Sequence, residues 1–418
     1  MARSQINKTE LFFPAIVWLL SRLVIGIAML GIAPLLTTPE GGVEVKFGWG
    51  VFDAWDSIHY RHIATTGYEY ANDGKGHNLA FFPVFPVVVR TLMNFGLPFE
   101  VAGTLVNNLA FLAATYYVYF WVKEFYWIGA ARWSSIVIAF FPASLFTAVA
   151  YTEGLYLLLT AVALRAFDRQ NYTWCALWGA IATATRPTGI ALIPAFLIAA
   201  WVQKRSLKAY LAGLASSLGL LLFSLYSWGV FGHPLAFIHA QRGWRSSIGF
   251  DWQGWWKMLM QITIGSTNWQ QGAIADPLHF LLFAIVVVLG CLLWSNKERM
   301  SQAKLDWSLA ILILLWWVLA GDPLINTLTV LGSAYLLWRE RNQLTPITVI
   351  YGFCALGLIL ASGGTWSLSR IAYGIVSLSV ALGVLLSRHP RWGYFSFSFF
   401  IILLATFSIR FAQELWVG

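Results

Sequence analysis

The chain has 418 residues, of which 59% are hydrophobic and only 11% are charged, and its mean hydropathy is +0.68. Since a soluble domain carries roughly 25% charged residues, this composition excludes an ordinary soluble protein and predicts a polytopic integral membrane protein. The net charge of +9 would also suit a nucleic-acid-binding protein. However, Lys and Arg gather in short connectors, as the positive-inside rule requires of cytoplasmic loops, so no nucleic-acid partner is predicted.

The apolar runs predict a single membrane domain over residues 1–418. Residues 11–36 can cross a membrane and are too long for a signal peptide. Arg3 and Lys8 precede them, so the positive-inside rule predicts a cytoplasmic N-terminus. The domain then divides into a first outer loop (37–98), core helices (99–231), a second large outer loop (232–276) and C-terminal membrane helices (277–418). We expect an all-α bundle with about 11–13 membrane helices.

The core helices are predicted in chain order from the apolar runs. Residues 81–94 contain two prolines and Arg90, so we place them along the outer interface rather than across the membrane. Residues 101–122 cross inward and residues 133–150 return outward. Further on, residues 174–185 and 190–201 form a short hairpin. This arrangement places the polar segments on the outer side: residues 37–80, 151–154, 186–189, 232–276 and 363–370.

The first outer loop contains the polar, aromatic segment Trp55-Asp56-Ser57-Ile58-His59-Tyr60. If it is helical from Asp56, then Asp56, His59 and Tyr60 share one face, because residues three and four apart are neighbours on a helix. A carboxylate, an imidazole and a phenol together suit sugar binding and proton transfer. Alternatively, Asp56 only caps the helix, with Asp53 as a solvated neighbour. The spacing leaves both interpretations open.

Three further charged residues lie in polar turns between apolar runs: Glu153, Arg186 and Arg370. An acid beside a membrane span is costly unless it is paired or exposed, which favours a functional Glu153. The alternative is that Glu153 complements the helix dipole. Both arginines lie on the predicted outer side, where the positive-inside rule does not require them, and a guanidinium suits a phosphate. Topological anchoring is the alternative for both.

No cofactor is predicted. His59, His62 and His77 lie in the first outer loop but lack the His, Cys and carboxylate spacing of a closed metal site. The sequence has no Walker A motif, no dinucleotide-binding glycine motif and no paired aspartates for a nucleotide-sugar metal. A divalent metal is therefore possible but not indicated.

Several segments, in order, carry a family resemblance: Trp55-Asp56-x-x-His59-Tyr60; His77-Asn78-Leu79-Ala80-Phe81-Phe82-Pro83; Phe141-Pro142-Ala143-Ser144; Tyr151-Thr152-Glu153; Ala184-Thr185-Arg186-Pro187-Thr188-Gly189; Pro234-Leu235-Ala236-Phe237 with Gln241 and Trp244; and Ser367-Leu368-Ser369-Arg370. Together they resemble the PIG-V-type mannosyltransferases, within the GT-C superfamily of polytopic glycosyltransferases, and especially their bacterial members. The resemblance covers residues 50–245 well and the C-terminal third weakly.

The resemblance implies a catalytic acid in the first outer loop, Asp56 by motif position, with Asp53 as the alternative. It also implies a polyprenyl-phosphate-hexose donor, typically carrying mannose, and a lipid or glycolipid acceptor whose identity does not follow. The residues expected to bind the donor and its phosphate are Arg186, Arg370, His59, Tyr60 and His77. Those expected to bind substrate are Glu153, Gln241 and Trp244.

The expected reaction is a direct, inverting transfer to a hydroxyl at the outer face of what we expect to be a bacterial cytoplasmic membrane. Such a site has no supply of cytosolic nucleotide sugars, so a lipid-linked donor is the natural choice. The alternative function is a transporter or flippase of a lipid-linked sugar. Transporters often contain repeated halves around a midplane site. The sequence shows no internal repeat and gathers its polar groups at one face, which favours the transferase.

Overall fold

The structure is a computed structural model that describes residues 8–245 and 249–417. These residues form helices and connecting turns without a β-strand; one isolated bridge joins Gly249 to Ser362. The prediction of an all-α protein is confirmed.

The N-terminal half supplies ten α-helices. They are α1 (Lys8–Gly26), α2 (Asp56–Thr65), α3 (Val84–Met93), α4 (Phe99–Phe125), α5 (Ile128–Phe140), α6 (Glu153–Asp168), α7 (Tyr172–Thr183), α8 (Leu192–Val202), α9 (Leu207–Ala215) and α10 (Leu218–Phe231). A π-helix (Ile27–Ile32) and 3-10 helices (Ala33–Leu35, Trp49–Phe52, Asn78–Ala80, Pro142–Thr147, Pro187–Ala191) connect or extend them.

The C-terminal half supplies eleven more. They are α11 (Ala236–Gln241), α12 (Trp252–Ile264), α13 (Ser266–Gln271), α14 (Pro277–Asn296), α15 (Gln302–Ala320), α16 (Asp322–Thr327), α17 (Ser333–Glu340), α18 (Pro346–Leu360), α19 (Leu368–Tyr373), α20 (Val376–Arg388) and α21 (Pro390–Ala412). A 3-10 helix (Lys297–Arg299) and a π-helix (Leu328–Gly332) complete this half. The predicted second outer loop thus contains three helices, α11 to α13.

Six helical segments of the described chain are long and apolar enough to cross a membrane. They are Glu10–Leu35, Phe99–Phe125, Leu207–Phe231, Pro277–Arg299, Gln302–Ala320 and Pro390–Ala412. Five shorter apolar helices accompany them: Val84–Met93, Ile128–Phe140, Pro187–Val202, Pro346–Leu360 and Val376–Arg388. The chain is an integral membrane protein, as its composition predicts. The number of crossings, about 11–13 by the length of apolar runs, stays a prediction.

The core is built on close contacts between α4, α5, α6 and α20. Because lipid tails are as apolar as buried side chains, membrane helices associate by packing, and small residues let their backbones approach. A Cβ atom on Gly383 of α20 would lie 2.6 Å from the Cα of Ser134 in α5. One on Gly154 of α6 would lie 2.9 Å from the Cβ of Phe111 in α4. Both helix pairs therefore require glycine at these contacts.

The predicted span at residues 133–150 is not a single helix. These residues were expected to return outward across the membrane, which stays a prediction, and in the structure α5 ends at Phe140 and a 3-10 helix follows from Pro142 to Thr147. Proline lacks a backbone N–H and excludes the α conformation from the residue before it. Phe141 accordingly has φ −52° and ψ 140°. The chain then turns through residues 148–152 and delivers Glu153 to the start of α6.

Candidate active site

The polar segments converge on a cavity of about 390 Å³. Its polar lining includes Asp56, Tyr60, Thr185, Arg186, Thr188, Gln241, Arg242, Arg245, Ser362, Ser367 and Arg370, and its aromatic lining includes Phe81, Phe82, Trp244, Trp366 and Trp416. These residues come from six segments: α2, the segment before α3, the turn before α8, the α11 region, the turn before α19 with α19 itself, and the segment after α21. Segments that are more than 300 positions apart in sequence therefore meet at one site.

Asp56 is the first residue of α2, and its carboxylate is directed at the cavity. Its Oδ2 lies 2.8 Å from Nη1 of Arg370, and the side chain is 27% exposed. The preceding Trp55 has φ 60°, which costs a residue with a Cβ about 1–3 kcal/mol. Tyr151 secures this bend, because its hydroxyl accepts from the Asp56 N–H (3.0 Å) and donates to the Ala54 carbonyl (3.2 Å).

Asp53 has a different environment, although it precedes Asp56 by three positions. Its side chain is only 4% exposed and forms an ion pair with Arg61. It also accepts a hydrogen bond from the hydroxyl of Ser57 at 2.6 Å. Asp53 does not line the cavity. Its contacts with Arg61 and Ser57 hold the first turn of α2 in place, and this turn orients Asp56.

Glu153 begins α6 directly beneath the cavity and is 1% exposed. It forms an ion pair with Arg186, and its Oε1 lies 3.8 Å from Nε of Arg370. Arg186 also donates to the hydroxyl of Thr152 at 3.1 Å. Asp56, Arg370, Glu153 and Arg186 therefore form a chain of alternating charges that joins four distant segments.

The two arginines of this network remain charged despite their burial. Burial disfavours the charge of Arg370, but the carboxylates of Asp56 and Glu153 hold its pKa above the usual value. Its guanidinium also lies over the rings of Phe146 and Tyr151, at 5.2 and 5.4 Å from their centroids. For Arg186, the neighbouring Glu153 likewise outweighs burial and raises the pKa. Two guanidinium groups and two carboxylates thus balance each other.

The remaining predicted site residues divide between the cavity and its surroundings. Tyr60 lines the cavity with its hydroxyl 3.4 Å from that of Thr152, and burial raises its pKa. Gln241 donates to the Ala80 carbonyl at 2.8 Å. His59 stacks on Phe81 at 4.6 Å and meets the edge of Trp244, and burial lowers its pKa. His59 therefore supports two aromatic rings of the lining.

His77 lies away from these groups. Its Nε2 pairs with Oδ1 of Asp73 at 2.7 Å, and its ring contacts Tyr70. It does not line the cavity. The pairing lowers the pKa of Asp73, with a further contribution from the Lys75 N–H. The structure thus gives His77 a role in the first outer loop itself.

Two arginines that sequence reasoning missed also line the cavity, Arg242 and Arg245. Nη1 of Arg245 donates to the hydroxyl of Ser362 at 2.9 Å and to the Gly364 carbonyl at 3.1 Å. Like Arg186 and Arg370, both carry positive charge on the predicted outer side, where the positive-inside rule does not require it. Their positions beside Gln241 and Trp244 were a second available signal.

Over residues 8–245 and 249–417, no group of three or more His, Cys, Asp and Glu side chains could hold a metal ion. The guanidinium of Arg370 lies beside Oδ2 of Asp56.

A family model described as Mannosyltransferase (PIG-V) matches residues 43–236. This matched segment, called the PIG-V segment below, is slightly less than half of the chain. The predicted resemblance to the PIG-V mannosyltransferases is confirmed over these residues. The PIG-V segment includes Asp56, Glu153 and Arg186, whereas Arg245 and Arg370 follow it.

Two curated relatives and one solved structure illustrate the similarity. Human GPI alpha-1,6-mannosyltransferase 2 is 24% identical over 302 residues, covering 62% of this chain and 60% of the human protein. GPI mannosyltransferase 2 of Cryptococcus neoformans var. neoformans serotype D is 33% identical over 150 residues, covering 32% of this chain and 34% of that protein. The apo oligosaccharyltransferase of Archaeoglobus fulgidus is similar with a TM-score of 0.47 and 13% identity, covering 97% of this chain and 56% of that chain.

Proposed function

We propose that this protein is an inverting glycosyltransferase. It moves a hexose, mannose by family, from a polyprenyl-phosphate donor to a hydroxyl of a lipid-linked or glycolipid acceptor. The observation that carries this proposal is the position of Asp56: a partly exposed carboxylate in a cavity whose other charged lining residues are four arginines. A base surrounded by cations suits the transfer of a sugar from a phosphate leaving group.

In the proposed reaction, the acceptor hydroxyl attacks the anomeric carbon from the side opposite the phosphate. The bond between the anomeric carbon and the phosphate oxygen breaks, and its electron pair stays on the phosphate. Asp56 takes the hydroxyl proton. Since Oδ2 faces Arg370, we assign Oδ1 to the hydroxyl. A phosphate leaves without protonation when cations bind it, so one carboxylate suffices, unlike the pair used by glycoside hydrolases.

Glu153 is proposed to act on the arginines rather than on the sugar. Its carboxylate is buried and touches both Arg186 and Arg370. A buried carboxylate in such a pair fixes the direction of its partners at the cost of its own desolvation. Glu153 is thus a positioning residue, which replaces the substrate-binding role expected from the sequence. Tyr60, Gln241 and Trp244 remain candidates for contact with the sugar.

A second, largely apolar cavity of about 450 Å³ is a candidate site for the prenyl chain. It is lined by residues of α2, α3 and α10, including Ile63, Val87, Leu222 and Phe223. The two cavities are lined by neighbouring residues of the chain. Phe82 and Thr185 line the first cavity, and the adjacent Pro83 and Ala184 line the second. A lipid could therefore hold its phosphate in the first cavity and its chain in the second.

The cavity is proposed to open at the outer face of the membrane, with the N-terminus in the cytoplasm. Helix α6 supports this orientation because its two ends differ. It begins with Glu153 at the cavity, whereas Arg165 in its last turn pairs with Glu124 at 3.0 Å. Arg169 joins Glu124 as well, at 2.7 Å. The basic connectors thus gather at the end of α6 away from the cavity, where the positive-inside rule places the cytoplasm.

Reconstitution in liposomes tests the proposed function. Protein-containing and protein-free liposomes would receive polyprenyl-phosphate-mannose labelled in the sugar, together with a lipid extract as acceptor. We expect a labelled glycolipid and an equal amount of released polyprenyl phosphate only where protein is present. Donor that crosses the bilayer without forming product would contradict the transferase and identify a flippase.

A further inference from the structure

The charges around the first cavity do not cancel. Its lining contains four guanidinium groups and one carboxylate, and Glu153 lies just beneath it. Asp56 pairs with Arg370 and Glu153 with Arg186. Within the described chain, neither Arg242 nor Arg245 has a carboxylate within 4.0 Å. The difference between four positive and two negative charges leaves two positive charges, located at one end of the α11 region.

Arg245 is held in place without being neutralised. Both of its hydrogen bonds start at Nη1 and end on neutral oxygens, those of Ser362 and Gly364. Nearby, the Gly249 N–H donates to the Ala361 carbonyl at 3.0 Å, so a residue four positions after Arg245 is tied to the same turn. A guanidinium carries five N–H donors in a planar fork, and Nε and Nη2 are not used in these bonds. The fork is thus pre-organised for an anion.

The surroundings of Arg245 disfavour its charge. Burial lowers the pKa of Arg245, the nearby Arg370 lowers it further, and Asp251 opposes both effects. A bound anion stabilises the charged form of such a cation most when the cation is removed from water and lies beside a second cation. Arg242 on the same segment is exposed and also lines the cavity. The two side chains together offer a binding site for a doubly charged oxyanion.

We propose that Arg245, assisted by Arg242, binds the phosphate of the prenyl lipid and stabilises it as it leaves. This inference rests on the proposed function and deepens it. The sugar-bearing phosphodiester has one negative charge, whereas the released monoester has about −1.5 to −2 at neutral pH. Two uncompensated arginines match the monoester better than the diester. Arg186 and Arg370 then orient Asp56 and the turn that ends at Glu153. The phosphate is bound instead by Arg245 and Arg242, which follow the PIG-V segment.

Binding measurements on the full-length protein in detergent test this assignment. Isothermal titration with a prenyl monophosphate and with the corresponding prenyl alcohol isolates the contribution of the phosphate. We expect the wild type to prefer the monophosphate at least tenfold, since a charge-assisted hydrogen bond contributes at least about a factor of ten. Arg245→Gln should lose most of this preference, Arg242→Gln a smaller part, and Arg245→Lys should keep some of it.

The matched control is Lys257→Gln, which removes the same charge from an exposed position on α12 outside the cavity lining. It should bind as the wild type does. A folded Arg245→Gln variant that keeps the full preference would overturn the inference and leave the transferase proposal standing. A wild type that binds no prenyl monophosphate would instead overturn the donor class. Inorganic phosphate that binds as tightly as the lipid, with the same dependence on Arg245, would show a site for free phosphate and overturn the lipid assignment.

Discussion

At the scale of single residues, Asp53 and Asp56 show how neighbouring carboxylates acquire different roles. Arg61 and Ser57 engage Asp53 and bury it. Asp56 instead faces the cavity, because the bend at Trp55 and the two hydrogen bonds of Tyr151 turn the start of α2 toward Arg370. A proton acceptor needs access to its substrate. Asp56 has this access and Asp53 does not.

Glu153→Gln tests the positioning role of Glu153. Arg186 and Arg370 would lose a buried counter-charge, so we expect the free energy of unfolding to fall by about 3–5 kcal/mol. Thermal and denaturant unfolding in detergent measure this loss. The double variant Glu153→Gln/Arg186→Gln restores the charge balance and should recover more than half of it. If Glu153→Gln were as stable as the wild type but inactive, direct substrate contact would replace the positioning role.

The sequence predicted part of this site and missed the rest. Asp56, Tyr60, Arg186, Gln241, Trp244 and Arg370 line the cavity, and each was identified by a local pattern or a family motif. His77 pairs with Asp73 four positions earlier, a partner that the motif did not reveal. Arg242 and Arg245 stand out only when the carboxylates and arginines of distant segments around the cavity are counted together. A local sequence pattern does not show which distant segments come into contact.

At the scale of helices and turns, the segment between α5 and α6 carries Tyr151 and Glu153, and α4 holds it in place. Asn107 of α4 is fully buried and donates to the carbonyls of Phe146 (2.8 Å) and Val149 (2.7 Å). Its Oδ1 accepts from the Gly154 N–H at 2.7 Å. One side chain therefore satisfies three buried backbone groups between the 3-10 helix Pro142–Thr147 and the first turn of α6.

Asn107→Leu tests this attachment. The substitution leaves three buried backbone groups unsatisfied, so we expect the free energy of unfolding to fall by about 2–4 kcal/mol. Turnover by the folded fraction should fall about tenfold, because a small displacement of Tyr151 and Glu153 misplaces the reacting groups. The control, Asn94→Leu, changes an exposed asparagine after α3 and should change stability by less than about 0.5 kcal/mol. Equal effects of both substitutions would contradict the proposed attachment.

Helix positions were easier to predict than helix ends. The predicted hairpin at residues 174–201 corresponds to α7 and α8 with the 3-10 helix Pro187–Ala191 between them. Within the predicted span at 133–150, α5 ends at Phe140, because Pro142 imposes a break that hydropathy alone does not register. That break was visible in the sequence. The tight approach of α6 to α4 at Gly154 was not, because it depends on which helices become neighbours.

At the scale of the whole molecule, the protein separates a polar cavity end from a basic connector end. Residues of six chain segments form the cavity end, whereas Lys123, Arg165 and Arg169 pair with acids at the other. This polarity is the physical basis for the proposed orientation, in which the donor reaches the site from the outer leaflet.

Accessible cysteines test the orientation. In a background with Cys175, Cys291 and Cys354 replaced by alanine, Lys75→Cys marks the first outer loop and Lys208→Cys marks a basic connector; both positions are exposed. A membrane-impermeant maleimide should label Lys75→Cys in intact cells and Lys208→Cys only after permeabilisation. The reverse pattern would place the cavity in the cytoplasm and remove the argument for a lipid-linked donor.

The central claim, that Asp56 is the proton acceptor of a sugar transfer, is tested by the single-turnover rate of transfer from polyprenyl-phosphate-mannose. We predict that Asp56→Asn lowers this rate by about 10²–10⁴-fold while still binding a prenyl monophosphate. The matched variant Asp53→Asn should stay within about tenfold of the wild type, because Asp53 acts only through the first turn of α2. Transfer by Asp56→Asn at the wild-type rate, or a greater loss in Asp53→Asn than in Asp56→Asn, would contradict the assignment.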